Sequence, residues 1–230
     1  MKVAARSLLA LFLLAPLLWA AEPWKEKPYT EWTQEDVQRI FLDSPWAGPA
    51  AVSRLTGDRT NLLFLPLEPL GPSSMTGQII VTGPPPGFFA VQWVSALTVR
   101  EAIVRQRQLQ GQVDEEQAAR FLAERPADYV VVVFGPNMGF FEGLKEEGTR
   151  QGTYLEFLPS KRRVAPAGVR FVRRGSQLAA VEFRFPRQAP GEAPVGTDEE
   201  QVRFRCRSTN QFTGADFDLR KMVRDGKPDL

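Results

Sequence analysis

Arginine takes every second position in Val202-Arg203-Phe204-Arg205-Cys206-Arg207. A β-strand alternates its faces with period two, so this spacing puts three guanidinium groups on one face and Val202, Phe204 and Cys206 on the other. Guanidinium is a planar fork of N–H donors that matches carboxylate, sulfate and phosphate. With Arg184 and Arg170 on neighbouring strands, the row reads as a basic sheet face able to grip an anionic partner. The competing reading is a solvated outer face neutralised by Glu182 and by acidic helices. Carboxylates offer a second chemistry. Glu31, Glu35, Asp36 and Asp43 lie close in sequence to Tyr29 and Trp32, the residue types of a glycan hydrolase that works with paired acids. Against that reading, Asp36 stands where a helix cap needs it. Ser160-Lys161 contains the residue types of a serine-lysine nucleophile, but adjacent residues of an extended chain point to opposite faces.

Absent residue types narrow the field. The chain has no histidine, which removes imidazole acid-base catalysis, histidine-activated nucleophiles and most zinc sites. Cys206 is the only cysteine, so neither an intramolecular disulfide nor a cysteine-rich metal cluster can form. Sharing a face with Phe204, it reads as a buried, inert thiol. No phosphate-binding glycine loop, dinucleotide fingerprint or aspartate-rich calcium loop occurs. The expectation is a protein without cofactor or metal and with no assigned catalytic residue.

The elements that position these groups begin after a leader. Lys2 and Arg6 precede an apolar run from Ser7 to Trp19, and small residues follow at Ala20 and Ala21, the expected cleavage positions. The run falls short of the roughly twenty residues that a membrane-spanning helix needs, so residues 1–20 read as a secretory signal and no later stretch as a membrane span. The chain holds 29 basic and 27 acidic residues, and loss of Lys2 and Arg6 makes the balance even. Residues 21–160 keep an acidic excess and 161–207 a basic one. An even overall charge and an exported location argue against nucleic acid as partner.

Thr33 with Asp36 forms a capping box, and Trp32 with Val37 has the spacing of a hydrophobic staple. Val37, Ile40 and Phe41 then give one apolar helix face, closed by Ser44-Pro45. Ala50 to Leu55 reads as a strand and Gly57-Asp58 as a turn. Prolines interrupt residues 62–87, which read as an extended arm with an edge strand at Gln78 to Thr82. Phe88 to Ala96 is a strand with Phe89, Val91 and Trp93 on one face and Gln92 on the other. Thr98 with Glu101 predicts a second capping box for a helix ending at Gly111. Asp114 caps a third helix, closed by Arg125-Pro126. The β-branched run Tyr129 to Phe134 reads as a strand covered on both faces. From Thr153 onward the pattern is β: Leu155 with Phe157, a hairpin joining Val169–Arg173 to Leu178–Phe185, and the arginine strand. Phe217, Leu219 and Met222 dock a last strand or turn.

Three stretches resemble a group of exported bacterial proteins, commonest in acidobacteria, that have no characterised activity. They are Lys27-Pro-Tyr-Thr-Glu-Trp-Thr33 followed by Asp43-Ser-Pro-Trp-Ala47; Ser95-Ala-Leu97 with Arg100-Glu101-Ala102; and Phe217-Asp-Leu219 through Met222 to Gly226-Lys-Pro-Asp-Leu230. The resemblance implies export and a single fold and carries over no catalytic residue. The expectation from the whole chain is one α+β domain over residues 21–230, a mainly antiparallel sheet with two or three helices on one face and a wet, charged opposite face. For function it is a periplasmic or extracellular, non-catalytic module that binds an envelope protein or an anionic polymer through Arg184, Arg203, Arg205 and Arg207. The alternative is a histidine-free glycan hydrolase.

Overall fold

A computed structural model describes residues 22–51, 63–66, 78–81, 88–135, 138–188, 198–207 and 212–230. The expected leader with Ala20 and Ala21 lies outside the described residues, as do residues 52–55, Gly57-Asp58 and most of the proline-rich segment 62–87. In chain order the elements are α1 (Pro23–Glu26), a 3-10 turn (Tyr29–Glu31), α2 (Gln34–Leu42), β1 (Ala47–Ala51), β2 (Leu63–Pro66), β3 (Gln78–Val81), β4 (Phe88–Trp93), α3 (Leu97–Leu109), α4 (Glu115–Ala123) and β5 (Asp128–Phe134). They continue with α5 (Glu146–Gln151), β6 (Thr153–Leu158), β7 (Arg162–Val164), β8 (Gly168–Arg174), β9 (Gln177–Pro186), β10 (Gln201–Arg207), β11 (Phe212–Asp218), β12 (Val223–Arg224) and β13 (Lys227–Pro228).

The fold is α+β with antiparallel sheets. Five strands run in the order β1-β4-β5-β9-β8 and four in the order β11-β10-β6-β7; β2-β3 and β12-β13 are separate hairpins. Two packed sheets therefore stand where the sequence reading placed one. Alternation shows which face of each strand is apolar but not which strands share a sheet.

Register places Trp93, Val131, Phe183 and Val169 in one row of the larger sheet, on the face that meets the smaller one. Across the interface Phe183 meets the Phe204 ring at 5.1 Å, Trp93 meets Phe217 at 5.6 Å and Tyr129 meets Phe157 at 6.3 Å. These tilted and edge-on pairs add to burial, worth about 1.5–3 kcal/mol for each large apolar side chain. At one margin the sheets nearly touch: a Cβ on Gly48 of β1 would stand 3.0 Å from the Ala215 Cβ of β11.

The opposite face of the larger sheet carries Gln92, Val132 and Glu182 in one row. α2 packs there, with the Phe41 carbonyl accepting from Gln92 Nε2 at 3.5 Å. Gln92, on the face opposite Phe89, Val91 and Trp93 as expected, is fully buried. Both faces of β5 are covered, and its burial from Tyr129 to Phe134 matches the unbroken apolar run. The wet, charged face belongs instead to the four-stranded sheet.

The helix starts separate local from remote control. Thr33 and Asp36 form the complete capping box of α2, and Asp114 with Gln117 that of α4. Gly111 at φ 67° follows α3, a left-handed residue that glycine adopts without strain. α3 itself departs from expectation: it begins at Leu97 after Ala96, with no side-chain cap from Thr98 or its neighbours. α5 spans Glu146–Gln151 with Gly148 inside it, a residue that weakens a helix locally. No helix among the described residues is long and apolar enough to cross a membrane.

Candidate functional site

The opening stretch, the start of α3 and the tail meet in space. The Asp229 carboxylate accepts from the backbone N–H groups of Leu97 and Thr98 at 2.6 and 3.0 Å, and so caps α3 from the far end of the chain. Trp46 Nε1 donates to the Asp229 carbonyl at 2.8 Å. Glu101, expected to close a local capping box, pairs instead with Arg224. In the opening stretch Trp32 Nε1 donates to the Pro23 and Lys27 carbonyls, both at 3.1 Å, while Lys27 pairs with Asp36 at 2.7 Å. These residues clamp the tail, the first turns and α3 together. Their chemistry is architectural.

A cleft of about 640 Å³ opens where the end of α2, the edge strand β1 and the end of β11 come together. Trp24, Phe41, Leu42, Pro45 and Ala90 supply apolar wall; Glu22, Asp43, Asp216, Asp218 and Lys221 supply charge. Three of the four carboxylates already hold a cation. Glu22 pairs with Lys25 at 2.5 Å, Asp216 with Arg205 at 2.5 Å and Asp218 with Arg220 at 3.0 Å. The Arg220 hydrogen bonds keep the Asp218 carboxyl below its ordinary pKa. Asp43 is exposed and forms no ion pair among the described residues. Of the four carboxylates singled out by sequence, only Asp43 reaches this cleft. Glu31 and Glu35 are exposed on the 3-10 turn and α2, and Asp36 is committed to its cap and to Lys27. Among the described residues no group of three or more acidic or cysteine side chains is placed to hold a metal ion.

The arginine row appears where alternation put it. Val202, Phe204 and Cys206 are fully buried, while Arg203, Arg205 and Arg207 lie on the outer face of the four-stranded sheet. There Arg163 pairs with Glu156 at 2.8 Å, and Arg203 approaches Glu156 and Asp216 only to 3.8 and 3.7 Å. Arg207 is exposed, with no ion pair among the described residues. Arg184 does not join them. It lies on β9 of the other sheet, where it and Arg170 hold the buried Glu182 carboxylate at 2.7 and 2.6 Å. The structure thus gathers three of the four predicted arginines and leaves the fourth on the other sheet. Sequence reasoning missed the cleft, whose charged groups are contributed by residues at both ends of the described chain. Ser160 and Lys161 fall in the turn between β6 and β7, the Ser160 hydroxyl donating to the Phe157 carbonyl at 3.4 Å.

Set against protein-family models, curated proteins and solved structures, the chain matches none.

Proposed function

We propose that the protein is a non-catalytic binding module, exported to the periplasm or the cell exterior, which holds a segment of an envelope partner in the cleft beside α2. The observation that carries this reading is the cleft itself, a concavity of about 640 Å³ combining apolar wall with a few charged groups, the usual make-up of a ligand site. Ion pairing supports recognition over acid-base work, since Glu22, Asp216 and Asp218 each already face a cation. Export is supported by the charged start, apolar run and small residues of positions 1–21, and by the resemblance of the opening and closing motifs.

The test is a pull-down from envelope fractions with three proteins: the unaltered chain, Asp43→Lys and Trp24→Ala, each checked for folding by circular dichroism. The same partner should be retained by the first and lost from both variants. A partner retained equally by all three places the binding site elsewhere.

A glycan hydrolase is the second reading, favoured by one feature: Asp43 is exposed and unpaired among the described residues, in a cleft that also holds Asp216, Asp218 and Trp24. It requires reducing ends to be released from a polysaccharide substrate and Asp43→Asn to abolish that release. No release from a panel of bacterial and plant glycans would leave binding as the function.

A further inference from the structure

We propose that the outer face of the four-stranded sheet, which adjoins the cleft at Asp216, is a docking surface for an acidic polysaccharide. The face carries four guanidinium groups, Arg163, Arg203, Arg205 and Arg207, against two carboxylates, Glu156 and Asp216. At its margin Asp218 is neutralised by Arg220.

Two of the guanidinium groups are held in place. The Arg163 guanidinium lies over the Tyr154 ring, 4.6 Å from its centroid. Arg205 crosses Gly214, where a Cβ would come within 2.9 Å of its Cδ, and its Nη1 donates to the Phe204 and Ala215 carbonyls at 2.9 and 3.3 Å. Forks already held in place lose little side-chain entropy on meeting an anion.

Arg203 is less tightly held. It sits between Glu156 and Asp216 at distances too long for hydrogen bonds. Residues i, i+2 and i+4 of a strand stand about 6.8 Å apart, so β10 offers cations at a regular interval to a ligand whose anions also recur. A chain of sulfated or carboxylated sugars has that character, and a single small anion does not.

The surroundings favour a polar polymer over a protein. The large hydrophobic side chains exposed among the described residues, Leu97 and Leu109, belong to α3 and not to this sheet, whereas a protein interface needs an apolar centre. Single-stranded nucleic acid binds by stacking bases on aromatic rings. The aromatic side chain described on this face, Tyr154, is already covered by Arg163.

The experiment measures binding of the full chain to immobilised heparin (sulfate-bearing), polygalacturonate (carboxylate-bearing) and dextran (neutral), with free galacturonate and inorganic sulfate as competitors. Both acidic polymers should bind with affinity falling as salt rises, dextran should not bind, and neither small anion should compete at equal charge concentration. Arg203→Glu with Arg205→Glu should weaken binding at least about tenfold. Glu156→Gln removes an internal competitor and should strengthen it several-fold. Arg184→Glu makes half the charge change of that double substitution, on the other sheet, and should leave binding near its original value. Retention of only one polymer identifies the anionic group read by the face. The proposal is overturned by failure to bind either acidic polymer, by equal loss with Arg184→Glu, by displacement with the small anions, or by a preference for polyglutamate or single-stranded DNA over both polysaccharides. Arg205→Glu also removes the ion partner of the cleft residue Asp216, so cleft and face are separated by Asp43→Lys and Trp24→Ala, which should leave polymer binding unchanged.

Discussion

Arg205 and Cys206 are chain neighbours with opposite surroundings. Arg205 lies across the outer face of its sheet, while Cys206 is wholly buried in the core beneath. Burial pushes the Cys206 thiol up to about 11, against the opposing effect of the Thr153 hydroxyl. Both access and thiolate are therefore scarce in the folded protein. A charged thiol reagent at mildly alkaline pH should leave intact protein unlabelled and label it fully in denaturant, as read by intact mass; prompt labelling without denaturant would mean Cys206 is not inward. Asp36 gives a pH-dependent counterpart. Burial opposes its ionisation, but hydrogen bonding and charge from Lys27, with donors from Thr33, outweigh it and hold the pKa below the ordinary 3.8. Because the folded value is the lower one, the stabilisation is complete above the unfolded pKa and lost as pH falls through the folded one. Urea midpoints measured from pH 5 down to pH 2 should therefore drop more for the unaltered protein than for Asp36→Asn. Parallel curves would show that the Lys27–Asp36 contact contributes nothing.

Helices α2 and α4 show what a short window of sequence can reveal. Their caps lie three residues from the groups they satisfy, and Thr33-Asp36 and Asp114-Gln117 fold as their spacing indicates. β5 was equally legible, since an unbroken β-branched run suits a strand buried on both sides. α3 was not, because its N-terminal N–H groups are satisfied by Asp229, 132 residues from Leu97. No local pattern announces a partner at that distance, and the nearby Thr98-Glu101 pair is a false signal. The two readings make opposed predictions. If Asp229 is the cap, Asp229→Ala should cost about 1–2 kcal/mol in urea unfolding, and Glu101→Gln should cost stability through lost pairing with Arg224. A local box would instead make Thr98 the capping acceptor. The Thr98 Oγ1 has no hydrogen-bond partner, so Thr98→Val should be near neutral. A larger loss from Thr98→Val than from Asp229→Ala would refute the remote cap. The candidate sites follow the same rule. The spacing of Arg203, Arg205 and Arg207 is local and was readable, whereas the separation of Arg184 and the meeting of Asp43 with Asp216 depend on sheet order.

At the scale of the molecule, one apolar cluster reaches from α2 through both sheets, with Phe41, Trp93, Phe183 and Phe204 among its members. Its continuity has a testable consequence because the described tryptophans are unevenly placed. Trp24, Trp32 and Trp46 lie before β1, and Trp93 is on β4 of the larger sheet, while the four strands of the smaller sheet contain none. Fluorescence therefore reports mainly on the larger sheet and its helices, and far-ultraviolet circular dichroism on the whole fold. Phe204→Ala empties a fully buried site in the smaller sheet, at its contacts with Phe183 and Phe185. It should cost about 3–5 kcal/mol, a large part of the roughly 5–15 kcal/mol that stabilises a typical domain. Arg203→Ala, one residue away on the wet face, should stay within about 0.5 kcal/mol. If the shared core makes the sheets one cooperative unit, Phe204→Ala will lower the urea midpoint seen by tryptophan fluorescence as much as that seen by circular dichroism. If the sheets unfold separately, the fluorescence midpoint will stay in place while part of the circular-dichroism signal is lost early. The interlocked Phe183, Phe185 and Phe204 rings leave no layer of solvent at which the sheets could part, so a single transition is the expected result.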